Sequence, residues 1–134
     1  MSLARIEDVR LVPHHGLPSP RRVHAVTVAL GHASDGGLLL AYRLRTDEGA
    51  LAWPGDAAVR AADARRRDGL WQRTCCELFI RSDDGGSAYR EFNFSPCGDW
   101  AAYDFEDYRV QGALPDVPAP SMRASAGADG YALE

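Results

Sequence analysis

The sequence predicts an all-β fold, an antiparallel β-sandwich of the immunoglobulin-like or jelly-roll-like kind with little helix. Short segments of alternating apolar and polar residues recur along the chain, and turn-forming Gly, Pro and Asp separate them. No stretch alternates strands with helices, as a parallel sheet requires. With 134 residues, the chain has the length of one domain, and we expect a single β-sandwich domain over residues 1–134.

The first half of the chain holds two predicted strands. Proline and glycine residues at positions 13–20 break the first segment into short extended pieces. Val23–Leu30 then alternates apolar with small or polar residues, which is typical of a strand with one buried face. Gly31–Gly37 supplies a turn, and Leu38–Arg45 has apolar residues at every second position. These segments predict an antiparallel hairpin or meander.

The stretch Thr46–Gly69 has weak periodicity and is predicted to be mainly loop. On propensity alone, Ala57–Arg67 could form a turn or two of helix. The arginine run that closes this stretch, Arg65–Arg67, is interpreted as a solvated surface.

The strongest local prediction is a hairpin around an Asp-Asp-Gly-Gly turn. Cys75–Ser82 and Ala88–Ser95 are rich in aromatic and aliphatic residues, and Asp83–Gly86 between them has the chemistry of a tight turn. Another turn at residues 96–99 leads into a third strand, Trp100–Glu106.

The last predicted elements are an irregular segment and a hairpin. Leu114–Pro120 contains three prolines, which exclude a regular strand. Ser121–Ala126 and Gly130–Glu134 then predict a short terminal hairpin across residues 127–130.

Composition narrows the function classes. The net charge of -4 and the pI of about 5.5 disfavour nucleic-acid binding, which needs a basic surface. No segment approaches the ~20 apolar residues of a membrane span, and no signal-peptide pattern opens the chain. We therefore expect a cytoplasmic protein with no membrane partner. Three cysteines, an odd number without CxxC spacing, predict free thiols and no metal site.

One stretch, Leu70–Tyr108, carries a resemblance to a known family. The matching residues are Leu70-Trp71-Gln72, Thr74-Cys75, Glu77, Phe79-Ile80, Tyr89, Glu91-Phe92-Asn93-Phe94-Ser95-Pro96, Gly98, Trp100-Ala101-Ala102-Tyr103 and Tyr108-Arg109. In these residues the chain resembles the bacterial DOMON-like proteins, related to family 9 carbohydrate-binding modules and DOMON cytochrome domains. The likeness implies a β-sandwich that binds a small-molecule ligand, sugar or haem, more often than it catalyses a reaction.

The resemblance also raises a question about the last strand. Relatives of this type continue beyond the position of Glu134 with further strands, so the chain is expected to lack C-terminal strands as a fragment or to complete its last edge with another chain. An uncovered strand edge invites pairing. We therefore expect a homodimer or strand exchange through an open sheet edge.

A carbohydrate is the favoured ligand. Flat aromatic rings match the apolar faces of pyranoses, and polar neighbours bind the hydroxyls. The candidate ligand-binding residues are Trp71, Glu77, Tyr89, Glu91, Asn93, Trp100 and Tyr103. The alternative is that the aromatic residues fill the core and that Glu77 is held by Arg73, Arg90 or Thr74.

An enzyme is the main competing hypothesis. If Glu77 and Glu91 faced each other across the hairpin, they would supply the paired carboxylates of a glycosidase. That depends on a strand register that a one-residue change in the turn would reverse. We therefore favour a non-catalytic module and expect no catalytic residues.

Haem is the alternative ligand, although no cofactor is expected for the favoured function. Haem iron needs an axial His or Met in an apolar slot. Met122 and His24 are the candidates in this sequence. A protein-interaction domain without a small ligand is the remaining alternative.

Overall fold

The computed structural model describes the backbone of residues 4–134 and the side chains of residues 7–134. This part of the chain contains one short 3-10 turn, Leu70–Gln72, and no α-helix. No helix within it is long and apolar enough to cross a membrane. The strands are β1 (Ala4–Leu11), β2 (Val23–His32), β3 (Leu38–Thr46), β4 (Ala57–Val59), β5 (Cys76–Arg81), β6 (Tyr89–Phe94), β7 (Trp100–Asp107), β8 (Val110–Gln111), β9 (Met122–Gly127) and β10 (Gly130–Leu133).

These strands form two antiparallel sheets, which confirms the predicted all-β fold class. The larger sheet has the order β1-β2-β3-β10-β9-β4, and the smaller sheet has the order β5-β6-β7-β8. The chain divides into two compact units. Residues up to Ala57 together with Arg123–Glu134 form one unit, and Ala58–Met122 forms the other.

The larger sheet follows the alternation of apolar residues in the sequence. Val28 on β2 lies directly opposite Tyr42 on β3, and both side chains are buried. The predicted terminal hairpin is present as β9 and β10, and Leu133 on β10 is buried. However, β10 also pairs with β3 through Gly130–Leu133. The last strand therefore has neighbours on both sides and not the open edge that the sequence predicts.

The segment predicted to be mainly loop holds a short strand and no helix. β4 (Ala57–Val59) joins the larger sheet beside β9, and a single turn follows in which Asp63 and Ala64 donate to the Arg60 carbonyl. The backbone of residues 65–67 then bonds to Trp100. Neighbouring strands thus satisfy the backbone groups that a local helix would have used. The strand β1 was not predicted. The prolines and the glycine at positions 13–20 interrupt the chain only after this strand.

The predicted hairpin around the Asp-Asp-Gly-Gly turn is confirmed. β5 and β6 pair without a break from Cys76 to Arg81. In the turn, Gly85 has a φ of 79°, a conformation that favours glycine. The side chain of Asp84 accepts a hydrogen bond from the Gly86 N–H at 2.9 Å, as Asp commonly does in turns.

Candidate functional site

The register of the smaller sheet places both glutamates of interest on one face. Glu77 on β5 lies opposite Asn93 on β6, which lies opposite Ala101 on β7. Glu91 lies opposite Tyr103 in the next row of the same face. Directly opposite residues project to the same side of a sheet, as do residues two apart on one strand. Glu77, Glu91, Asn93 and Tyr103 therefore share a face.

A cavity of about 690 Å³ lies over this face, within the size range of small-molecule sites. Side chains from the sheet, from the segment before β5 and from the region of β8 surround it. They are Arg66, Arg67, Asp68, Trp71, Glu77, Glu91, Ala101, Ala102, Tyr103, Phe105, Arg109, Gln111 and Leu114. All of them belong to the compact unit Ala58–Met122.

The 3-10 turn Leu70–Gln72 presents an indole to the cavity. Gly69 precedes the turn with a φ of 79°, and Leu70 anchors it by packing in a buried cluster with Ala101 and Tyr103. Trp71, the next residue, is 51% exposed and lies edge-on to the Tyr103 ring at 6.2 Å between centroids. The buried Leu70 side chain thus fixes the turn, and the exposed Trp71 side chain remains available to contact a ligand.

Tyr103 and Asp68 connect the sheet to the segment before β5. The Tyr103 hydroxyl donates a hydrogen bond to Asp68 Oδ1. Burial, and secondly this carboxylate, raise the pKa of Tyr103 to about 12. The hydroxyl therefore stays protonated at neutral pH and keeps Asp68 in place.

The two glutamates differ in environment. Glu77 is exposed because β5 is the edge strand, and its carboxylate accepts a weak hydrogen bond from Cys75 Sγ at 3.8 Å. Glu91, on the central strand β6, is half-buried. Burial raises its pKa, the nearby Asn93 amide opposes the rise, and the negative charge of Glu77 adds to it. The side-chain amide of Asn93 is fully buried. Within the described chain neither its oxygen nor its nitrogen has a partner at hydrogen-bond geometry, so it acts on Glu91 through its closeness alone.

The raised pKa of Glu91 gives a testable pH dependence. A carboxyl whose folded-state pKa exceeds its unfolded value contributes stability below the ordinary pKa of 4.5, and this contribution is lost as the pH rises through the folded-state pKa. Glu91→Gln, which cannot ionise, should therefore gain unfolding free energy relative to wild type between pH 4 and pH 7. Because the carboxylate is only partly desolvated, we expect a gain on the order of 0.5 kcal/mol. Urea unfolding at both pH values measures it.

Glu48→Gln, at an exposed position, is the matched control for that experiment. It removes one carboxylate from the surface and leaves the surroundings of Glu91 unchanged, so it accounts for the loss of one negative charge. A Glu91→Gln variant that loses stability relative to wild type as the pH rises would contradict the expected environment of Glu91.

The arginine run before β5 is more than the solvated surface that the sequence predicts. Arg66 donates to the Ala102 carbonyl at 2.8 Å and to the Pro115 carbonyl at 2.9 Å, and its guanidinium lies over the Trp100 ring at 5.1 Å. The Arg67 side chain is 70% exposed and forms an ion pair with Asp99 at 3.4 Å. Arg66 thus holds the wall of the cavity to the sheet.

Arg109 brings a third arginine to the cavity, besides Arg66 and Arg67, from the tight turn between β7 and β8. Its φ of 59° is the only left-handed value at a non-glycine residue in the described chain. Its guanidinium lies over the Tyr108 ring at 5.2 Å. Within the described chain it forms no ion pair with a carboxylate.

Four of the seven sequence-predicted ligand residues line the cavity, namely Trp71, Glu77, Glu91 and Tyr103. The other three do not. Trp100 is 4% exposed and projects to the opposite face of β7, Tyr89 stacks on Phe105 at 4.7 Å, and Asn93 is fully buried on the face that the cavity covers.

Arg90, one of the arginines suggested as a partner of Glu77, is engaged on the other side of the sheet. Arg90 lies on the opposite face of β6, where it forms a two-point ion pair with Asp104 at 2.6 and 3.0 Å. That pair lowers the pKa of Asp104. Glu77 lies on the edge strand β5, where its side chain is exposed to water.

The haem candidates and the cysteines lie outside the cavity. His24 is exposed with Nε2 at 2.7 Å from an Asp47 carboxylate oxygen, and Met122 is buried. All three cysteines are free, as predicted. Burial raises the pKa of Cys75 to about 11 and of Cys76 to about 12, so both remain thiols. No group of three or more metal-binding side chains occurs among the described residues, and haem binding stays a prediction.

Sequence reasoning missed several lining residues, among them Asp68, Arg109 and Gln111. Asp68 follows an arginine run that is typical of a solvated surface, and the other two flank a turn. None belongs to a motif, because the folded chain brings them together from separate segments.

No protein-family model, curated protein or solved structure matched the chain. The resemblance to DOMON-like proteins therefore stays a prediction, and the function has to be argued from the cavity itself.

Proposed function

We propose that the protein is a non-catalytic module that binds a carbohydrate in the cavity over the smaller sheet. The observation that carries the proposal is an exposed indole, Trp71, on the same cavity as two carboxylates from adjacent strands. An aromatic ring covers the apolar face of a pyranose. Carboxylates accept hydrogen bonds from its hydroxyl groups, and guanidinium and amide groups donate to their oxygens.

The remaining lining supports the same ligand class. Arg109 and Gln111 add donors, and Phe105 and Leu114 add apolar surface. The volume of about 690 Å³ has room for a small oligosaccharide. The free thiols suit a reducing compartment such as the cytoplasm, which is where we propose that the protein acts.

Replacing Trp71 with alanine should weaken sugar binding at least about tenfold, because the stacking surface is lost. A glycan array identifies the sugar, and isothermal titration calorimetry with that sugar measures the effect. Trp71→Phe keeps a smaller ring and should retain part of the affinity.

Leu17→Ala serves as the control for that measurement. Leu17 is 68% exposed and does not line the cavity, so its removal should leave affinity unchanged. If no sugar binds the wild type, or if Trp71→Ala binds as tightly as the wild type, the carbohydrate proposal fails.

A glycoside-processing enzyme is the second candidate, favoured by the register of β5 and β6. Glu77 and Glu91 are diagonal neighbours on one face, a relation that separates Cα atoms by roughly 7–8 Å. Glycosidases act through two carboxyl groups, one as acid and the other as base or nucleophile. The raised pKa of Glu91 suits a general acid, and Glu77 would act as the base.

A panel of chromogenic glycosides distinguishes the two candidates. Turnover by the wild type that both Glu77→Gln and Glu91→Gln abolish would establish the enzyme. Sugar binding without turnover would leave the binding module.

A further inference from the structure

The smaller sheet has a long strand edge that the described chain leaves unpaired. β5 is the outermost strand and pairs only with β6. No backbone hydrogen bond from Cys76–Arg81 to another described segment covers its outer side. Such an edge is a template for a further strand.

The other three sheet edges in the described chain are each short or interrupted. β1 has a register shift between Arg5 and Glu7, while β4 has three residues and β8 has two. In contrast, β5 has six residues, an unbroken register and no proline. Its Phe79 is 57% exposed and its Ile80 is 44% exposed. Natural proteins usually protect an edge of this kind.

We propose that a second copy of this chain covers the edge, with the two β5 strands paired antiparallel about a two-fold axis at Phe79. In that register Glu77 lies opposite the partner's Arg81, and this charge pair occurs twice because of the symmetry. Leu78 lies opposite the partner's Ile80, and the two Phe79 rings meet. Each apolar side chain thus faces an apolar one, and each charge faces its opposite.

Neighbouring registers that keep the sheet faces continuous are less favourable. Centring the axis on Leu78 places Glu77 opposite the partner's Phe79, so no opposite charges face each other across the two β5 strands at this position. Centring it on Ile80 places Glu77 opposite the partner's Asp83, where like charges repel. Charge complementarity therefore selects the axis at Phe79.

The pairing adds a residue to the candidate site. Glu77 lines the cavity, so the partner's Arg81 stands at the rim of that cavity beside this carboxylate. The proposal does not depend on the carbohydrate, because the two charges pair whether or not a sugar binds.

Sedimentation equilibrium of the full chain tests the pairing. Wild type should be a dimer, and Arg81→Glu should raise the dissociation constant at least about tenfold, because it places two like-charge pairs in the interface. Glu77→Arg should do the same. The double variant Glu77→Arg, Arg81→Glu restores opposite charges and should return the dissociation constant to within a few fold of wild type. Arg21→Glu, at an exposed position elsewhere, changes net charge equally and should have no effect.

A disulfide locates the axis. Residues directly opposite in an antiparallel pair have Cα atoms roughly 4.5–5.5 Å apart, within reach of a disulfide. In a Cys97→Ser background, Phe79→Cys should cross-link into a covalent dimer under mild oxidation, and Leu17→Cys should not. A monomeric wild type, a dimer that is insensitive to Arg81→Glu, or equal cross-linking of both cysteine variants would overturn the proposal. Sugar titration of the same variants reports separately on the carbohydrate.

Discussion

Gly130→Ala should destabilise the protein by at least about 3 kcal/mol, a large fraction of the 5–15 kcal/mol that ordinarily separates folded from unfolded domains. A Cβ atom at this position would lie 1.8 Å from the Leu44 carbonyl oxygen and 2.9 Å from the Leu44 carbonyl carbon. These are backbone atoms of β3, so no side-chain rotation relieves the clash. The φ of 146° adds strain that only glycine avoids.

The clash falls where the last strand joins the larger sheet. Gly130 lies opposite Arg45, and the pairing continues through Tyr131 to Leu133, both of which are buried. Displacing the start of β10 therefore disturbs the packing of its buried residues as well as its backbone ladder. Urea unfolding monitored by circular dichroism measures the loss of stability.

Gly127→Ala is the matched control within the same hairpin. Gly127 lies directly opposite Gly130 on β9, but a Cβ atom there would meet nothing within 4 Å and its φ is not positive. Its effect should stay within about 1 kcal/mol of wild type. Equal stabilities of the two alanine variants would contradict the close approach of β10 to β3.

The elements that the sequence predicts correctly are those whose signals are local. The Asp83–Gly86 turn holds its own hydrogen bond from Gly86 to Asp84, and the alternation in β2 and β3 needs no knowledge of the partner strand. The terminal hairpin is predicted for the same reason. The pairing of β10 with β3 is not predicted, because it joins segments that lie far apart in the chain.

The candidate site was predictable only in part. Four of the seven candidates selected from the Leu70–Tyr108 stretch line the cavity, and the strand register decides which of them share a face. The pairing of Glu77 with Asn93 places Glu91 on the same side, and a shift by one residue would have separated the two carboxylates. Trp100 and Tyr103 are both aromatic residues of β7, but their side chains project to opposite faces of the sheet.

Arg66→Ala should cost about 2–3 kcal/mol of unfolding free energy, the second large effect that we expect. The substitution leaves the carbonyl oxygens of Ala102 and Pro115 without the donor that each has now, and a buried acceptor that loses its partner costs about 1–3 kcal/mol. It also removes the cation from the face of Trp100. Arg66→Lys should recover little, because one ammonium group cannot reproduce the planar fork that spans two carbonyls.

Arg67→Ala, one residue along, is the control for stability, since the Arg67 side chain is 70% exposed and keeps its cation in contact with water. We expect this variant to lose at most about 1 kcal/mol. Thermal unfolding measures the difference in stability between the two variants. The sequence offers no reason to rank two adjacent arginines. A larger loss of unfolding free energy for Arg66→Ala than for Arg67→Ala would therefore come from the two carbonyl contacts of Arg66. Equal losses for the two variants would contradict the importance of these contacts.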